Sequence, residues 1–276
     1  MSKKNVPDSE RIFENVIFKY YQPASNFIKE RLKQAKKVYP EILQQEQNIQ
    51  DTLTISCAYR ILISLDDESI KPLIPADSKY PFAGITDVKN LLKLIHPGFL
   101  VPFLIYCVIA YELAGKVEAT PNDILSIFFQ ITLPIRFKGQ KEYAWYIQRT
   151  KVLSVNERNE VISHINTYHF EREFIPLEET EYRLIQASVL KDEFLHETFQ
   201  DEIAKQMKLY YEHEVFQKQH WDILKSYIHT ENKLKYTQST IYAYNKDILS
   251  LMKLHTGYAF GSVKSVVAYL QKIKVF

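Results

Sequence analysis

Apolar residues recur mostly every three to five positions over 8–50: Ile12, Val16 and Tyr20, then Phe27, Leu32, Ala35 and Val38, with Pro23 and Pro40 as punctuation. That spacing predicts helices, and QQEQNIQ at 44–50 predicts a solvated helix or a connector. From residue 51 the period changes. TLTISCAYRILISL is rich in β-branched residues and ends at Asp66-Asp67, a turn signal, after which SIKPLI predicts a second short strand. Helical spacing returns over 86–115, in TDVKNLLKLIHP, a break at Pro97-Gly98, and FLVPFLIYCVIAYELAG. Three long strand candidates follow at Asn122–Phe137, Glu142–Leu153 and Val161–Phe170, joined at Lys138-Gly139-Gln140 and at Asn156–Asn159. Three long strands after two short ones predict a single twisted antiparallel sheet.

Beyond the sheet, 177–216 contains an acidic helical stretch in which Phe199, Ile203, Met207 and Tyr210 make a narrow apolar stripe. Such a stripe suits docking on a neighbouring element or pairing in a homodimer. Residues 217–229 predict another helix with Trp221, Leu224 and Ile228 as its core face. The next helix has the most distinctive pattern. In TQSTIYAYNKDILSLMK (237–253), Thr237 or Ser239 supplies the N-cap, and Ile241, Tyr244 or Asn245, Ile248, Leu249 and Met252 form an apolar face. The opposite face carries Ser239, Thr240, Tyr242, Ala243, Lys246, Ser250 and Lys253. Hydroxyls in the first turns and lysines further along suit a helix in a DNA major groove, with short polar groups near base edges and cations near phosphates. An ordinary amphipathic surface helix has the same periodicity.

Composition changes this picture at a few points. The 276 residues suffice for two domains, and 46% hydrophobic with 25% charged residues predicts a folded chain. Only 6 Gly are present and neither GxGxxG nor GxxxxGK[ST] occurs, which argues against glycine-loop nucleotide binding. The net charge is +2, but from Lys218 onward nine Lys face three acids, a balance of +6 that leaves −4 for the rest. A basic end on a mildly acidic body is the footprint of a nucleic-acid module. No Arg lies beyond Arg183, so the commonest reader of guanine is missing there. Cys57 and Cys107 are too few for a disulfide framework. The apolar run Phe99–Ala114 contains Pro102 and Glu112 and is shorter than a membrane span, so it predicts a core helix. MSKKNVPDSERIF has no apolar segment of a signal peptide, and a cytoplasmic protein is expected.

No catalytic set assembles. Glu193 and His196 have the spacing of one half of a di-metal motif, but the second half is missing. His196-Glu197 and His213-Glu214 are each followed by Gln where a zinc site needs His. His96 before Pro97 predicts a helix-end cap. His164 and His169, five apart, predict opposite faces of a strand at the surface or an interface.

Two resemblances organise these elements. LLKLIHPGF (91–99) is similar to the PAS helix ending I-H-P-x-D. FQITLPIRFKGQKEYAWYIQRTKVL (129–153) resembles the PAS hairpin E-x-R-x-x-x-x-D-G-x-x-x-W, with Gly139 at the turn and Trp145 on the next strand. The PAS resemblance covers roughly residues 53–172 and implies the element order β-β-α-α-β-β-β. STIYAYNKDIL (239–249) followed by TGYAFGSVKSVVAYLQKIKVF (256–276) resembles the end of Bacteroidetes-type LuxR-like transcription regulators. In those a recognition helix S-x-x-T-V/I-x-T/A-x-N/R-x-x-I-L ends a helix-turn-helix, and a last helix reads V-A-x-Y-L-K. WDILKSY (221–227) partly matches the family's R-E-x-E-I-L-x-x-x-A. The 18 positions from Ile223 to Ile241 are fewer than the family spends there, so its supporting second helix is short or lost.

The expected fold class is α+β, in four parts: an N-terminal helical segment (1–50), a PAS-like sensor or dimerisation domain (51–176), a helical linker (177–215) and a small all-α, LuxR-like helix-turn-helix domain (216–276). The resemblance implies a homodimeric, DNA-binding transcription regulator that is not an enzyme and needs no cofactor. Its partner is double-stranded DNA, met by Ser239, Thr240, Tyr242, Ala243 and Lys246 in the groove and by Lys225, Lys235 and Lys253 on phosphates. The alternative is a protein-interaction module with a degenerate DNA-binding end.

Overall fold

The computed structural model describes residues 13–14, 16–33, 59–73, 82, 84–116, 128–158, 160–174, 186–190, 193–228 and 235–276. The architecture is α+β. Six strands, β1 (Tyr59–Ser64), β2 (Ile70–Pro72), β3 (Phe128–Ile135), β4 (Ala144–Val155), β5 (Val161–Glu173) and β6 (Gln186–Leu190), form one antiparallel sheet in the order β2-β1-β5-β4-β3-β6. Cys57, Pro40 and the 44–50 run lie outside the described residues, as do 122–127 of the third strand candidate.

Each turn has a local cause. After β1, Asp67 Oδ1 accepts from Ser69 N at 2.8 Å while Glu68 adopts φ 58°, which closes the hairpin to β2. Gly139 supplies φ 88° between β3 and β4, where a side chain would be strained. Between β4 and β5, Asn156 Oδ1 accepts from the backbone N of Arg158 and Glu160, at 2.9 and 3.0 Å, an Asx-type turn. Pro134 sits inside β3, yet β6 pairs only with Phe128–Thr132, so the missing donor falls where the neighbouring strand has ended.

Helices cover one face. A π turn (Ile17–Tyr21) runs directly into α1 (Gln22–Lys33). Pro23 therefore does not interrupt the helix, as its position had suggested; the wider i→i+5 turn ahead of it accommodates the missing donor. Asp87 caps α2 (Val88–Leu92), its Oδ1 accepting from Asn90 N at 2.8 Å. The long apolar run forms α3 (Pro97–Lys116), which starts at Pro97, a residue suited to a first turn. Residues 186–190 correct the helical reading of that region: they pair with β3 as an edge strand, and the helix α4 (Glu193–Tyr210) begins only afterwards. Local charge pattern does not reveal a strand whose stability comes from a partner distant in sequence. The α4 stripe is spent inside the chain: Phe199 and Met207 are buried, and Phe199 packs edge-on against Tyr106 of α3 at 5.4 Å.

A second π turn (Tyr211–Val215) leads to α5 (Lys218–Ile228), α6 (Gln238–Thr256) and α7 (Val263–Lys272). One buried cluster runs without a break from the sheet through α3 and α4 into Ile223, Ile248, Met252 and Leu270 of these last helices. No described helix is long and apolar enough to cross a membrane.

The N-terminal helix is anchored by charge. Glu160 is 2% exposed; its carboxylate accepts from Arg31 Nε at 2.6 Å and from Asn156 Nδ2 at 2.7 Å. Arg31→Ala is expected to lower the free energy of unfolding by about 3 kcal/mol, because it strands a buried carboxylate. Urea titration checks this, and Arg31→Ala with Glu160→Gln should recover part of the loss.

Candidate nucleic-acid interface

Helix α6 forms because its cap, its stripe and its stop agree. Thr237 Oγ1 accepts from Thr240 N at 3.3 Å at the start, and Gly257 ends the helix in the left-handed region at φ 73°, donating to Lys253 O. Ile248 and Met252 are completely buried, with Ile241, Tyr244 and Leu249 packed beside them. The apolar face is therefore the one the sequence indicates.

Four helices hold that face. Helix α5 grips the start of α6: Tyr236, just before the cap, donates to Asp222 Oδ2 at 3.0 Å, and His220 meets Tyr244 edge-on at 5.6 Å. Helix α4 reaches its far end through Tyr210, whose hydroxyl lies 2.6 Å from His255 Nδ1. Burial pushes the His255 pKa below its ordinary value, against a smaller opposing pull from Glu214. The closest approach is to α3. A Cβ placed on Gly98 would lie 2.4 Å from the Thr256 carbonyl carbon, and one placed on Gly257 would lie 2.2 Å from His96 Cε1. Two backbones touch there, with the His96 ring wedged alongside.

His96 is the N-cap of α3. Its Nδ1 accepts from Gly98 N at 3.1 Å, and its own N–H donates to Pro134 O at 3.0 Å. Tyr143 and Phe174 enclose the ring, and burial, aided by Arg136, lowers its pKa to about 4. The neutral imidazole that the cap requires is thus the one the environment favours. Sequence reading placed a cap here but missed that it also seats α6.

The other side of α6 faces solvent. Ser239, Tyr242, Ala243, Lys246, Ser250 and Lys253 are all exposed, and Tyr242 is 73% exposed. Their 3–4 residue spacing places them along one stripe. Thr240 differs: it is half-buried and its Oγ1 lies 2.8 Å from the capping Thr237 Oγ1, so its hydroxyl is engaged within the cap. Asp247, exposed, stands beside the stripe and lowers its positive potential locally. Lys235 is exposed two residues before the cap. Lys225 is exposed on α5, three residues after Asp222 and so on the side of α5 that holds the segment leading into α6.

Among the described residues, no helix lies between α5 and α6. The helices that support α6 are α3 of the sheet body, α5 and α7, with α4 reaching it through Tyr210. No protein-family model matches the chain, and no curated protein matches it either.

Proposed function

We propose that the chain is a cytoplasmic, DNA-binding transcription regulator in which a PAS-like sensory sheet is joined to a LuxR-like end. The observation that supports this most directly is the free stripe on α6: a helix held by four neighbours leaves its hydroxyl-and-lysine side to solvent. The order β1, β2, α2, α3, β3, β4, β5 is also the one that the PAS resemblance calls for. Ser239, Tyr242, Ala243 and Lys246 would lie toward base edges, with Lys253, Lys235 and Lys225 toward phosphates. A homodimer would space two α6 helices on a duplex, and a shift in packing over the sheet would change that spacing. The α4 stripe is buried within the chain, so such a dimer would use another surface.

The test is fluorescence anisotropy with a labelled duplex over a salt series. With three lysines on phosphates, affinity should fall roughly 40-fold between 50 and 200 mM salt. Lys235→Ala and Lys253→Ala should each reduce the salt slope by about 1. Affinity independent of salt, or unchanged in both variants, rules the reading out.

A protein-interaction module is the second reading. It is favoured by Asp247 beside Lys246 and by the strongly exposed aromatic Tyr242, which suits a protein groove. Under that reading Tyr242→Ala abolishes partner capture, while lysine variants leave it intact.

A further inference from the structure

Between α1, α2, α3 and the inner face of the sheet lies a cavity of about 170 Å³. Most of its wall is apolar, with Ile28, Leu92, Phe103 and Leu104 among the residues forming it. One side is not. Gln148, Thr150 and Asn166 project into it from β4 and β5, joined by Gln148 Nε2 to Thr150 Oγ1 at 3.3 Å and Thr150 Oγ1 to Asn166 Oδ1 at 2.8 Å.

Above this row the wall carries an excess of polar groups without partners. Five buried side-chain polar atoms among the described residues make no hydrogen bond, and three of them, the hydroxyls of Tyr21, Tyr106 and Tyr111, belong to residues lining this one cavity. Tyr21 sits near Glu68 and Tyr106 near Thr150, but neither pair has hydrogen-bond geometry. Tyr106 is 3% exposed, so bulk water does not serve it. Leaving a buried hydroxyl unsatisfied costs free energy, and several of them around one void mark a place that a polar guest completes.

We propose that this cavity binds a small uncharged molecule made of one ring with a single hydroxyl or carbonyl. Volume sets the size: an apolar cavity of about 150 Å³ takes up benzene. The wall sets the charge. His164, which lines the cavity from β5, is held neutral by burial, with its pKa near 4, and Glu68 is already paired to Lys29 at 2.9 Å. A charged guest would lose its hydration without gaining a counter-ion. The tyrosine hydroxyls and the Gln148–Thr150–Asn166 row supply donors and acceptors for one polar substituent. The cavity assigns His164 an inward role, which corrects its expected place at a surface or interface; its strand neighbours Ile63 and Val152 also line the cavity. The assignment does not depend on DNA binding.

Phenol, toluene and benzoate are the probes, read by thermal melting and by ligand-observed NMR on the full chain. Phenol is expected to raise the melting temperature and to bind more tightly than toluene, with benzoate weakest. Tyr106→Phe keeps the ring and removes only the unpaired hydroxyl. It should weaken phenol about five- to tenfold and leave toluene unchanged. Ala110→Leu, which narrows the cavity, should weaken both. Three results overturn the proposal: no binding of phenol or toluene, in which case water alone fills the cavity; benzoate as tight as phenol; or phenol binding indifferent to both substitutions.

Discussion

Acidification from neutral pH to about pH 4 is expected to lower the free energy of unfolding by roughly 6 kcal/mol, most of it between pH 6.5 and 4. Two partly buried imidazoles cause this. His96 caps α3 against the end of α6, and His164 lines the internal cavity; burial lowers both pKa values to about 4 from an ordinary 6.5. Above 6.5 neither is charged in the folded or the unfolded chain. Between 6.5 and 4 the unfolded chain takes up protons that the folded chain refuses, so stability falls with pH. Below 4 both states are protonated and the loss is complete. His169, His220 and His255 are also lowered by burial and act in the same sense. The lowered pKa values of Asp67 and Glu68 stabilise the fold above their unfolded values, and that contribution is lost only at the acid end. Urea titrations at a series of pH values check the slope. His96→Asn keeps a capping acceptor but cannot titrate, and should remove about half of it. A slope unchanged in both His96→Asn and His164→Gln would contradict the account.

Gly98→Ala is expected to destabilise the protein by about 3 kcal/mol, the reverse of what helix propensity says. Replacing a helical glycine by alanine normally gains about 0.5–1 kcal/mol through lower chain entropy. Here the added methyl would stand 2.4 Å from the Thr256 carbonyl carbon and 2.5 Å from Gly257 N. Both are backbone atoms, which no side-chain rotation can move aside. The first turn of α3 and the end of α6 must therefore separate. Gly257→Val should cost at least as much, since it adds a β-branched residue at φ 73° to a contact of 2.2 Å with His96. Thermal melting should show a drop of roughly 6–12 °C for either. Hydrogen exchange should show faster opening of α6 than of the sheet. Equal or higher stability of Gly98→Ala would mean that the two helices are not locked together at this point.

Other parts of the molecule differ in how far the chain's own pattern reveals them. Strands β1 to β5 are legible because alternation, β-branched residues and the turn chemistry of Asp67, Gly139 and Asn156 agree within a few residues. Helix α6 is legible for the same reason, with Thr237 at its start and Gly257 at its end. Strand β6 is not, because Gln186–Leu190 pair with Phe128–Thr132, nearly sixty residues away, and no local signal marks such a partner. The π turn before Pro23 is hidden too, since spacing alone cannot distinguish a widened turn from a helix break.

Helical phase fixes which side chains of α6 share a face. It does not fix what that face meets. Thr240 shows the difference: it lies in the right sector, yet its hydroxyl is drawn into the cap by Thr237. By itself the sequence determined most of the elements, the apolar and polar sides of α6 and the basic balance of residues 218–276, because these depend on neighbours within a turn or a hairpin. Only the tertiary structure decided that α6 is held by α3 through Gly98 and Gly257, that His164 turns inward, and that three tyrosines with unpartnered hydroxyls line one cavity. Each of these is a meeting of residues far apart in the chain, and close packing, which sets such meetings, leaves no periodic trace in the order of amino acids.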